Sequence, residues 1–220
     1  MPNAIITGAN RGIGLEFCRA LLARGYGVTA LCRTASDALK AMPVEVRDGY
    51  DVTDGAAIDA FAATVEAGTI DLLINNAGIL ESVSLDHLDL ESMRRQFEIN
   101  ALGPVRVTRS LLPALKEGAK IALLTSRMGS IADNESGGSY GYRMSKAALN
   151  AAGVSLAKDL KSRGIAVAIL HPGYVRTDMT GQSGLIEVDE AVAGLLERID
   201  QLSLKNSGGF WHSNGEVLPW

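Results

Sequence analysis

The stretch Ala4-Ile5-Ile6-Thr7-Gly8-Ala9-Asn10-Arg11-Gly12-Ile13-Gly14 decides how the rest of the chain is read. Its opening apolar run is too short for a helix and reads as a strand buried on both faces. A threonine and three glycines follow, and then a helix-like stretch. Glycine lets the backbone turn tightly and approach a ligand closely. A helix starting there offers unpaired N–H groups and the positive end of its dipole to an anion. Strand, glycine-rich turn and helix in that order predict a pyrophosphate cradle made by Gly8, Asn10, Arg11, Gly12, Ile13 and Gly14, more than a plain turn requires.

Working outward, similar apolar runs recur at Ala4–Ile6, Val28–Leu31, Val44–Val46, Ile70–Ile74, Ile121–Leu124, Ile165–Leu170 and, more weakly, Phe210–Trp211. Helical stretches separate most of them. This alternation predicts an α/β fold: a Rossmann-type, doubly wound parallel sheet of about seven strands with helices on both faces. Gly25 and Gly27 suit the exit of a first helix, and Gly118 and Gly164 the exits of later ones. No linker, repeat or low-complexity tract interrupts the pattern, so residues 1–220 are read as one domain. Ligands of such sheets bind beyond the carboxyl ends of the strands.

Composition narrows the function. The chain has 220 residues, 47% of them hydrophobic, and a net charge of −4. That supports a sizeable core and argues against a nucleic-acid binder, which needs a basic surface. Cys18 and Cys32 form no CxxC pair and read as buried thiols of a reducing compartment. His87, His171 and His212 lack metal-ligand spacing, so no metal is expected. Neither a signal peptide nor an apolar membrane span is evident, and a soluble cytoplasmic protein is the expectation.

The second run ends at Leu31-Cys32-Arg33. An acid near this position accepts the free ribose 2′-hydroxyl of NAD(H). Arg33 stands here instead, with Arg11 in the glycine loop. Two guanidinium groups suit a 2′-phosphate through charge-assisted forked hydrogen bonds. NADP(H) is therefore expected in preference to NAD(H), which stays possible if a loop brings Asp37 back. Asp54 reads as a helix N-cap. Asn75-Asn76-Ala77-Gly78 closes the fourth strand with a polar turn.

Two helical stripes contain polar anomalies. Positions 142, 146, 149, 153, 156 and 160 share a face, so Lys146 falls in an otherwise core-facing row, with Tyr142 one turn earlier. A cation beside a phenol lowers the phenol's pKa, as a tyrosine acid/base near neutral pH requires. A lysine snorkelling at the stripe's edge fits the residues equally well. A helix from about Leu90 to Leu115 would align Leu90, Met93, Phe97, Asn100, Pro104, Val107 and Leu111. Asn100 is then a buried amide that needs partners. Ser126 follows a buried strand in Thr125-Ser126-Arg127. It lacks the context of an activated nucleophile, but its hydroxyl could bind a substrate carbonyl.

Taken together, TGxxxGIG, the NNAG turn, the strand-end serine and Tyr142-Arg143-Met144-Ser145-Lys146 resemble the short-chain dehydrogenase/reductase family. The glycine spacing matches its single-domain branch, whereas the epimerase branch carries TGxxGxxG. The stretch Gly138–Asn150 resembles the C-factor-like and sniffer-type carbonyl reductases. The resemblance implies a catalytic tetrad of Asn100, Ser126, Tyr142 and Lys146. It also implies cofactor contacts from Asp51 and Val52 at the adenine, from Asn76, Ala77 and Gly78 at the strand end, and from Tyr142 and Lys146. Pro172, Gly173, Val175 and Thr177 match the family's PGxxxT segment, with Thr177 and the backbone near Val175 at the nicotinamide carboxamide.

The implied activity is hydride transfer between NADP(H) and a carbonyl or alcohol carbon of a small substrate. A nucleotide-binding regulatory protein on the same fold, with no need for turnover, is the alternative. A homodimer or homotetramer is implied, with the Asn100 and Tyr142 helices at an interface. His171 is read as structural. Tyr140 lies off the Lys146 face, leaving the acid/base role to Tyr142. The short region after Thr177 suggests a small lid and an open substrate pocket.

Overall fold

The computed structural model describes residues 1–220. Seven strands form one parallel sheet: β1 (Asn3–Thr7), β2 (Gly27–Leu31), β3 (Glu45–Arg47), β4 (Ile70–Asn75), β5 (Leu115–Leu124), β6 (Ala166–His171) and β7 (Phe210–His212). Their spatial order is β3-β2-β1-β4-β5-β6-β7, and every pairing is parallel. The order reverses between β1 and β4, which opens a crevice at their carboxyl ends.

The helices are α1 (Gly12–Ala23), α2 (Asp37–Lys40), α3 (Gly55–Ala62), α4 (Leu90–Phe97), α5 (Gly103–Leu111), α6 (Tyr140–Asp159) and α7 (Val188–Gln201). Alternate strand residues face opposite ways, so the sheet carries two cores. On one face, Ala4, Ile6, Leu72 and Ile74 pack with Phe17 and Leu21 of α1 and Leu195 of α7. On the other, Ile5, Leu73, Ile121 and Val167 pack with Phe61 of α3, Leu111 of α5 and Leu149 of α6. Side chains buried on both sides explain why the strands read as continuous apolar runs.

Two expectations about the frame need correction. Gly118 does not close a helix. It lies inside β5 with φ near +82°, where the pairing with β4 shifts register. The helix expected from Leu90 to Leu115 is two helices, joined by a π turn at Glu98–Leu102. Leu90 and Phe97 are exposed, whereas Ser92, Gln96 and Asn100 are buried. The buried face meets backbone as well as side chains. Gln96 donates from Nε2 to the Glu81 carbonyl at 3.0 Å and accepts from the Glu81 N–H at 3.1 Å. The polar row is buried because the loop it covers has main-chain groups to satisfy.

Candidate active site

A cavity of about 460 Å³ opens at the carboxyl ends of β1 and β4. Its walls include every glycine-loop residue expected there (Gly8, Asn10, Arg11, Gly12, Ile13 and Gly14), together with Arg33, Asp51, Val52, Asn76, Ala77, Gly78 and Thr177. Steric demands fix the loop. Gly8 and Gly12 have φ of +65° and +52°, the left-handed region that favours glycine. A Cβ on Gly8 would lie 2.8 Å from the Ala77 Cα, and one on Gly14 would overlap the Gly8 carbonyl oxygen. α1 begins without a side-chain cap and without an acidic residue in its first turn. Its positive end therefore faces the cavity uncompensated, as an anion site requires.

The NNAG turn holds this loop in place. Asn76 Nδ2 donates to the carbonyls of Thr7 and Gly8 at 3.1 and 3.0 Å. The Thr7 hydroxyl accepts from the N–H groups of Asn76 and Ala77, both at 3.1 Å. Arg33 and Asp51 approach to 3.8 Å in the cavity wall beyond β2 and β3. Asp37 is exposed at the start of α2 and is not part of the cavity wall. Asp54 caps α3 as its position suggested, accepting from the Ala57 N–H at 3.0 Å.

Beside the cavity lies a second, buried group of residues. Lys146 is only 4% exposed, so it does not snorkel. Its Nζ donates to the Leu124 carbonyl at 2.8 Å and lies 5.7 Å from the centre of the Tyr142 ring. Asn100 Oδ1 accepts from the Ile79 N–H at 2.8 Å, and its Nδ2 donates to the Ile79 carbonyl at 2.9 Å and to Ser145 Oγ at 3.0 Å. Ser145 in turn donates to the Tyr142 carbonyl at 2.8 Å. A Cβ on Gly78 would lie 3.2 Å from Asn100 Oδ1 and 3.6 Å from Lys146 Nζ. The strand-end turn, the π turn and α6 thus converge on one point.

Ser126 ends the same strand edge, beside Tyr142. Burial pushes the Tyr142 phenol up to about 12, with a hydrogen bond to Ser126 acting in the opposite direction. Burial brings the Lys146 ammonium down to about 8. The expected lowering of the phenol by Lys146 is therefore not what the protein alone produces. The lysine charge is itself disfavoured by burial, and its Nζ is turned to a carbonyl, so desolvation dominates at both groups.

Pro172, Gly173 and Val175 lie outside the cavity wall, as do Tyr142 and Lys146. A turn carries Pro172 and Gly173 past β6, where Gly173 has φ +95° and is packed against His212. Val175 is buried and bridges to Ile186. His171, at the end of β6, stacks edge-on against His212 with ring centres 4.8 Å apart. Burial brings its imidazole down to about 3, so it stays neutral. The sequence reading missed Ser145, whose only signal was a small polar residue between Tyr142 and Lys146. It also missed Arg176, Asp178 and Gln182, which complete the cavity wall from far along the chain.

The family model for short chain dehydrogenases matches residues 2–185. The chain belongs to the short-chain dehydrogenase family. This dehydrogenase is 41% identical over 226 residues to the 1-hydroxy-2-glutathionyl-2-methyl-3-butene dehydrogenase of Rhodococcus sp. (strain AD45), with all of both chains covered. It is 48% identical over 164 residues to C-signal of Myxococcus xanthus, covering 73% of this chain and 99% of the relative. Among solved structures, the NADPH-bound carbonyl reductase from chicken fatty liver superposes with a TM-score of 0.91 at 34% identity, covering 100% and 99% of the two chains. The resemblance carried by the glycine loop and the Tyr142–Lys146 pair is thus borne out at the level of family and fold. No helix is long and apolar enough to cross a membrane.

Proposed function

We propose that this dehydrogenase uses NADP(H) to interconvert a carbonyl and an alcohol on a small substrate. The observation that carries the reading is the meeting of Ser126, Tyr142, Lys146 and Asn100 beside a glycine-walled crevice at the reversal of strand order. The uncompensated start of α1 suits the pyrophosphate. Arg11 and Arg33 suit a 2′-phosphate, and NADPH in the chicken carbonyl reductase supports the choice. When bound, NADP(H) supplies or accepts the hydride.

The chain's own groups handle the oxygen and the proton. Ser126 donates a hydrogen bond to the substrate oxygen as negative charge develops on it. Tyr142 gives that oxygen its proton. A phenol held near 12 is fully protonated at neutral pH and so stands ready in the reduction direction. Lys146, poised near 8, takes up or releases a proton next to the phenol and would hold the ribose of the bound cofactor. Asn100 fixes the turn at Ile79 and, through Ser145, the first turn of α6. It is thus a positioning residue.

We further infer one domain over residues 1–220, with its two unpaired thiols suited to the cytoplasm. Self-association is proposed through α4, where Leu90 and Phe97 are exposed seven positions apart on one face. The identity with C-signal favours a second reading, a regulatory nucleotide binder with no need for turnover.

Turnover of NADPH with a panel of aldehydes, ketones and quinones separates the two. Tyr142→Phe is expected to lower kcat by about 10²- to 10⁴-fold with NADPH affinity unchanged within about twofold. Near-normal turnover in that variant sinks the proton-donor assignment. Tight NADPH binding with no turnover of any substrate favours the regulatory reading.

A further inference from the structure

Arg11 and Asp178 are 167 positions apart, yet Arg11 Nη1 donates to Asp178 Oδ2 at 3.0 Å. Both line the same cavity. Both carboxylate oxygens have partners. Asp178 opens a tight turn braced by Thr180, whose hydroxyl donates to the Val175 carbonyl at 2.7 Å and accepts from the Thr177 N–H at 3.1 Å. Its other oxygen accepts from Gln182 Nε2 at 3.1 Å. Arg11 is a long side chain at the N-cap of α1 with no other carboxylate bound to it. The two side chains are 66% and 60% exposed.

We propose that Asp178 is a specificity-determining residue for the cofactor. Its carboxylate competes with the ribose 2′-phosphate of NADP(H) for Arg11, and so restrains the preference for NADP(H) over NAD(H). The proposal rests on Arg11 being a 2′-phosphate ligand. A 2′-phosphate draws the guanidinium away from Asp178, or shares it with a second anion held close by, and either arrangement is less favourable than meeting a free arginine. NAD(H) has a neutral hydroxyl at that position and leaves the ion pair intact. Asp178 thus acts on one cofactor and not the other. Because the pair is exposed, the effect is modest, about two- to fivefold in affinity, and it fades as salt screens the charges.

The test measures dissociation constants for NADPH and NADH by nicotinamide fluorescence in wild type, Asp178→Asn and Arg11→Ala, at low and high salt. Asparagine keeps an oxygen for Gln182 while removing the charge. The expected result is NADPH binding tightened about two- to fivefold in Asp178→Asn, with NADH nearly unchanged and the gain lost at high salt. Equal shifts for both cofactors, no shift, or weaker NADPH binding overturns the proposal. Arg11→Ala is expected to erode the NADPH preference. If it does not, the assignment of Arg11 falls and the proposal falls with it. If it does while Asp178→Asn is inert, only the role of Asp178 falls.

Discussion

The glycine loop and the Tyr142–Lys146 group share one edge of one sheet but are built in opposite ways. The loop is continuous in sequence. Backbone geometry shapes it, and its charged side chain, Arg11, stands in solvent, as does Arg33 just beyond β2. The other group is drawn from three distant segments. Asn100, Ser126, Tyr142 and Lys146 are all buried, and the polar atoms of Asn100 and Lys146 are tied to main chain within the fold. A site made by a turn tolerates side-chain exchange and resists any added Cβ. A site made by buried polar groups depends on each hydrogen bond, because an unpaired group away from water is costly.

Two substitutions test this contrast, and a third probes the half-buried His171 at the end of β6. The largest effect is expected from Gly14→Ala, whose methyl would overlap the Gly8 carbonyl oxygen. Displacing the loop should weaken NADPH binding about 10- to 100-fold in a fluorescence titration. Unchanged affinity would show that the loop is not closely fitted. Next is Asn100→Ala, which removes three hydrogen bonds, one of them fully buried. A loss of about 1–3 kcal/mol should appear as a Tm lower by about 3–10 °C, with NADPH affinity nearly kept. A Tm within a degree of wild type would break the contrast from the other side.

The smallest effect concerns pH. His171 has its imidazole lowered from 6.5 to about 3. Its contribution to stability is complete above about 6.5 and is lost as pH falls toward 3, because the unfolded chain takes up the proton first. His171→Asn should flatten the acid limb of stability between those values in urea unfolding at pH 7.5 and 5. An unchanged acid limb would show that His171 does not carry it.

The strands were legible because a parallel sheet covered on both faces demands apolar runs, and Ile70–Ile74 or Ile121–Leu124 admit little else. The position of Lys146 was legible as a charge in a core-facing row. The burial of α4 was not, since helical periodicity assumes that the buried face is apolar. Here Gln96 and Asn100 are buried against the backbone of Glu81 and Ile79, and the π turn shifts the phase of the helix between them and α5. The direction of the Tyr142 shift was also out of reach. Spacing places a lysine one turn away, but the balance between charge and desolvation depends on how much of each group water still touches.

By itself, the sequence determined the order of strands and helices and the glycine loop, because both follow from local periodicity and backbone sterics; the tetrad was implied by the resemblance to the family. The tertiary structure alone decided which polar groups lie dry beside Tyr142, which face of α4 is covered, and that Asp178 closes on Arg11. Those outcomes depend on groups 15 to 167 positions apart meeting across the sheet's edge, and no local pattern encodes such distances.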